Sequence, residues 1–222
     1  NIAEALGGAR PRRRMGNRGR GRNLICNCGK GGAIMDSTPV FSKERQTPFT
    51  SGQLPIVTHA VGIAEELVSN HYKMSASQWL RPKYDVKTLA DLEPPEIVDG
   101  PFAQIIRYKG QPKRASLGSA TYDLYKICLQ DDAIMVALDH HPELDMLPFA
   151  LYIITHELIH IVRFSKFLQG FDASAEERLS EEKRVHERTH EILSTVRLKG
   201  LATVLDFYKD WRTVCEQIDC KP

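Results

Sequence analysis

The residues with the clearest chemistry stand together in Thr155-His156-Glu157-Leu158-Ile159-His160. On a helix, side chains four apart project from one face, one turn above the other, so the imidazoles of His156 and His160 can share one tetrahedral metal ion. Glu157 points about 100° further round the helix. From there it cannot join the same coordination shell, but it can hold a water polarised by the ion and take its proton as a general base. The setting strengthens this reading, because the flanking run from Tyr152 to Val162 is otherwise apolar. Ionisable groups in such a run cost several kcal/mol to desolvate unless they are paired or bind a metal. One zinc ion held by His156 and His160 is the expectation.

A third protein ligand must come from elsewhere, and the chain after the motif suggests where. The motif helix is expected to run from Pro148 to about Leu168, with Gly170 ending it and Asp172 or Ser174 capping a charged helix from about Ala175 to Lys199. After so short a loop the second helix returns antiparallel over the first. With the turn centred near Phe171, residues Glu182 to His186 come level with His156 to His160. Val185, Thr189, Ile192, Leu193 and Val196 mark the apolar side of this helix. Glu182 and His186, four apart, lie on or beside that side, whereas Glu187 points nearly opposite. Glu182 is therefore the expected third ligand, with His186 as its neighbour or its replacement, and His190 is a weaker candidate. Glu176, Glu177, Lys183 and Arg188 read as a solvated face.

This pattern resembles the zincin superfamily, in which a helix bearing HExxH packs beside an edge strand and a second helix donates the third ligand. The resemblance covers the motif helix and the one after it. The extended HExxHxxGxxH form is missing, since Arg163 and Phe164 stand where the glycine would come, so the chain is most similar to the glutamate zincins. What the resemblance implies is an α+β, mainly helical fold with an HExxH helix, a following antiparallel helix and a small β edge. It also implies that His156 and His160 are ligands, that Glu157 is the general base, and that the activity is that of a zinc metallopeptidase acting on a peptide or protein. Two other classes compete. Glu157-x-x-His160 and Glu187-x-x-His190 form two ExxH pairs of the kind that build di-iron sites in helical bundles, but they fall on consecutive helices and Glu187 faces away. A metal-stabilised interaction domain without catalysis is the other.

The elements that must position these residues can be outlined from composition. With 222 residues, 42% of them hydrophobic, one domain with a tail is expected. Residues 1–34 hold seven Arg, one Lys and one Glu, a balance of +7 that leaves −5 on residues 35–222 of a chain with net charge +2. This Arg/Gly-rich leader reads as disordered. Neither nucleic acid, through its arginines, nor a metal, through Cys26-x-Cys28, is an expected partner, since each motif lacks a completing element. Residues 35–53 read as an extended lead-in and 54–222 as the metal-binding domain. Ile56 to Tyr72 has helical spacing, with His59 and His71 at its ends as structural residues. Phe102 to Tyr108 reads as a strand. Ala133 to Leu138 is read as a second strand, after a turn at Gln130 to Asp132, although Thr121 to Asp139 also fits a helical stripe. A last helix is expected from Leu201 to Ile218. Five cysteines are too few for a disulfide scaffold and point to a reducing cytoplasm. No apolar run was read as long enough, at about 18 residues, to span a membrane.

Overall fold

The computed structural model describes residues 22–24, 47–75, 83–110, 122–166, 168, 170 and 174–213. The fold is mainly helical with a small mixed sheet, an α+β arrangement. Its organising element is a helix of 20 residues, Met146–Ser165, in which every residue from Pro148 to Phe164 is buried. A helix that is apolar nearly all round has no face to give to water and must be covered from every side. By length and composition alone it would suffice to cross a membrane, yet 94% of its apolar stretch is buried inside the protein.

The cover is supplied by the remaining elements. Helix α1 (Leu54–His71) packs along the central helix through Val57, Ala60, Ala64 and Val68, spaced three and four apart. The two alanines are fully buried, and their small side chains permit close approach of the backbones. The sheet covers a second side. Strand β3 (Ala103–Gly110) pairs antiparallel with β4 (Tyr122–Leu129), aligning Ile105 with Ile127 and Ala103 with Leu129. Strand β2 (Lys83–Lys87) pairs parallel with the far edge of β4, and the three-residue strand β1 (Arg22–Leu24) lies antiparallel outside β3. Because strand side chains alternate, Ile105, Tyr125, Ile127 and Leu129 join the core, where Tyr125 stacks on Phe164 at 6.0 Å between ring centroids and Phe102 meets Phe149 edge-on at 5.1 Å.

Helix α2 (Asp131–His140) precedes the central helix, which is α3 (Met146–Ser165). It is followed by α4 (Ala175–Leu193), α5 (Leu201–Phe207) and α6 (Lys209–Thr213). Helix α4 starts at Ser174, whose hydroxyl accepts from the Glu177 backbone N–H while the Glu177 side chain accepts from the Ser174 N–H. Gly200, at φ 81°, turns the chain into α5, and a Cβ there would stand 2.6 Å from Asp145 Oδ2.

Several expectations are corrected. Ala133 to Leu138 is part of helix α2, and the partner strand of β3 is Tyr122–Leu129. The apolar stripe from Leu124 to Leu138 belongs to two elements of different period. Up to Leu129 its residues alternate across a sheet, and beyond it Ile134 and Ala137 are the buried face of a helix. The boundary is fixed by Asp131, buried at the first turn, where its carboxylate accepts from the backbone N–H groups of Phe49 and Leu89. Arg22–Leu24 is a strand, which departs from the disorder read for residues 1–34; the rest of that leader, including Cys26 and Cys28, lies outside the described residues. Strand β2 was not anticipated. Helix α4 ends at Leu193, earlier than Lys199, and the last helix is broken at Tyr208, with residues 214–222 outside the description.

Candidate metal centre

Helices α3 and α4 cross the core side by side in opposite directions, and at their contact a polar stripe replaces the apolar one. On α3 it is Tyr152, His156, His160 and Arg163, spaced four, four and three, which is one face of a helix. On α4 it is Glu181, Glu182 and His186. All seven are buried.

At the centre of the stripe three residues form a triangle, in which two imidazole Nε2 atoms face each other and the two oxygens of one carboxylate. His156 Nε2 stands 3.2 Å from Glu182 Oε2, His160 Nε2 stands 3.4 Å from Glu182 Oε1, and the two Nε2 atoms are 3.2 Å apart. A neutral imidazole carries a single N–H, which points at one acceptor. Each imidazole can donate to its own Glu182 oxygen, but both Nε2 atoms would then carry hydrogen, which does not suit their 3.2 Å approach to each other. A zinc ion would fit between them, because ligands bound at about 2.05 Å in tetrahedral directions stand about 3.3 Å from each other. The donor set also fits: two imidazoles and one carboxylate suit zinc and leave a fourth direction open. The Glu182 carboxyl is held well below the usual range; burial pushes it up, but the imidazoles of His160 and His156 beside it outweigh that.

His186 lies next to this triangle. Its ring centroid is 4.4 Å from that of His156, and its Nδ1 is 2.9 Å from the Tyr152 hydroxyl. One donor atom from each of His156, Glu182 and His186 falls within 4.8 Å of the others. At the other end of the stripe, Arg163 grips Glu181 with two guanidinium nitrogens, Nε and, at 3.0 Å, Nη2, while Arg184 reaches the same carboxylate at 2.7 Å. This buried pair lies one rung beyond His160 and Glu182 and fixes the register of α4 on α3.

Glu157 is fully buried, and seven residues on, along the same face of α3, Phe164 stacks on Tyr125 of the sheet. The Glu157 charge is felt on β4: the Cys128 thiol is pushed up to about 12, first by burial, then by Glu96, with Glu157 adding to it. Both sides of the site are thus enclosed. Of the four charged or ligating groups His156, Glu157, His160 and Glu182, only the Glu182 side chain keeps some exposure, 11%.

His156, His160, Glu182 and His186 are brought to one place, with Glu157 buried beside His156 on the same helix. Glu187 is exposed on the far side of α4, His190 is half-buried beyond His186, and His59 and His71 are exposed on α1. Tyr152, Arg163 and Glu181 were missed. Tyr152 was read as part of an apolar run and Arg163 only as a departure from a longer motif. Their positions four before His156 and three after His160 were the available signal.

Compared with family models, curated proteins and solved structures, the chain matches none.

Proposed function

We propose that this protein is a zinc-dependent hydrolase of zincin-like architecture, acting on a peptide or protein, with His156, His160 and Glu182 holding one ion. The observation that carries the reading is the convergence of the His156 and His160 Nε2 atoms, 3.2 Å apart, on the two oxygens of one buried carboxylate, at 3.2 Å and 3.4 Å, with Glu157 one residue along the same helix. When bound, the ion supplies a Lewis acid that lowers the pKa of water to about 7 and polarises a carbonyl. Glu157 would then serve as the general base, taking a proton from a water at the centre and returning it to the leaving amine. Its burial suits the task, since a carboxylate in a dry pocket has little water of its own to compete for the proton. Tyr152 orients His186, whose ring flanks the His156 ligand and closes that side of the pocket. The Arg163–Glu181 pair neutralises the second carboxylate of α4, so that Glu182 alone is turned to the ion.

A second reading is favoured by one observation, the complete burial of His156, Glu157 and His160. With His186 as a fourth ligand the centre would be closed and structural. Metal stoichiometry and reactivity separate the two. Purified protein should contain one zinc per chain and cleave members of a peptide library in a chelator-sensitive way. One zinc with no cleavage of any peptide or ester would favour the closed centre; no zinc would exclude both. Two irons per chain would revive the di-iron reading, which the exposure of Glu187 disfavours.

A further inference from the structure

A hydrolytic centre that is buried needs a way in, and the aromatic residues of α5 and α6 mark where it is. The His186 ring is only 1% exposed. Trp211 of α6 lies over it at 5.4 Å between ring centroids, tilted by 34°, and is itself half-buried. Tyr208 adds a second ring at 5.7 Å from His186 and stacks on Tyr152 at 3.8 Å and 3°. Outward from the ligands the order is therefore His156, then His186, then Trp211, then solvent. The partly exposed edge of Glu182 lies on α4, the helix that also carries His186. Every other flank of the ligand helix is covered by regular structure: α1 along one side and the sheet along another. Among the described residues, the outermost cover on this flank is a five-residue helix, Lys209–Thr213. So short an element opens at far lower free energy than the core helices.

Resting on the hydrolase reading above, we propose that Trp211 is the access- and specificity-determining residue of the centre: substrate enters between α4 and α6 by displacing the Trp211 indole, and places an apolar or aromatic side chain against the Tyr208 and Trp211 rings. The ring faces of Tyr208 and Trp211 favour apolar and aromatic groups over a carboxylate.

The test uses the full chain loaded with zinc and does not require turnover. The rate at which the chromophoric chelator 4-(2-pyridylazo)resorcinol extracts the ion is measured for the wild type, Trp211→Phe and Trp211→Ala. Extraction from Trp211→Ala at least about tenfold faster than from the wild type is expected, with Trp211→Phe between them and the zinc content at saturation equal in all three. The phenylalanine variant keeps a ring on the same short helix and guards against a fold lost with the alanine. Equal extraction rates in all three proteins would overturn the proposal while leaving the centre intact. A chain that takes up no zinc would overturn the centre as well. Among substrates, peptides with Phe or Leu beside the scissile bond should be cleaved at least about tenfold better than those with Asp, and Trp211→Ala should narrow the gap; the opposite preference would also overturn the proposal.

Discussion

At the scale of single residues, the centre depends on which carboxylate of α4 meets the histidines. Glu181, Glu182 and Glu187 are chemically equal and differ only in direction. Glu182 faces His156 and His160, Glu181 is held by Arg163, and Glu187 is in solvent. Glu182→Ala should lower zinc affinity by at least tenfold, on the scale of lost metal partners, and Glu187→Ala should leave it unchanged. Competition titration with a chelator of known affinity measures both, and equal affinity in the two variants would contradict the assignment. Much of this was legible in the chain, because helical phase and rise are fixed and a short loop dictates an antiparallel return. The Tyr152 contact to His186 was not, since an aromatic residue in an apolar run carries no mark of its hydroxyl's partner.

At the scale of elements, the buried Arg163–Glu181 pair joins α3 to α4 and should be the most sensitive point of their interface. Breaking a buried pair costs up to about 3–5 kcal/mol, and without Arg163 the buried Glu181 carboxylate keeps only the half-exposed Arg184. Arg163→Met should therefore destabilise the fold far more than Arg188→Met, whose partner Glu191 is exposed. Urea unfolding of the two variants checks this, and similar midpoints would show that the pair does not hold the helices in register. A second polar junction fastens the turn at Pro94–Glu96 to the sheet, where Glu96 is met by Lys126 and Tyr108. Burial pushes the Glu96 carboxyl up, but the Glu93 backbone N–H and those two side chains outweigh this and hold it below its ordinary value of 4.5. A carboxylate lowered on folding stabilises above its unfolded pKa and loses that contribution as pH falls through the folded one. The melting temperature of Glu96→Gln should thus lie furthest below wild type near neutral pH and approach it below about pH 4.5. A constant difference down to pH 3 would refute the assignment. Element boundaries were the least legible feature: Leu124 to Leu138 satisfies two periods at once, and only the tertiary partners of Asp131 decide where the strand stops.

At the scale of the whole molecule, the ion and the fold should be one system. The proposed ligands come from two helices that bury each other, so zinc would bind the native chain and not the unfolded one, and its binding energy would add to stability. At 100 times the dissociation constant the gain is about 2.7 kcal/mol. Its removal by chelator should lower the melting temperature by several degrees, and His156→Ala should show the lower value with or without zinc. The helices and strand β3 were legible from periodicity, whereas the α+β class with a small sheet was an implication of the resemblance. The strand order was not legible, because parallel pairing of β2 with β4 joins residues about 40 apart in sequence through contacts that no local pattern records. The proposed role of Glu157 as base beside a zinc-loaded centre is tested most directly by Glu157→Gln. The amide keeps the shape of the side chain, so full zinc content, an unchanged melting temperature and a cleavage rate at least about 100-fold lower are expected. A zinc-loaded Glu157→Gln protein that cleaves as fast as the wild type would contradict it.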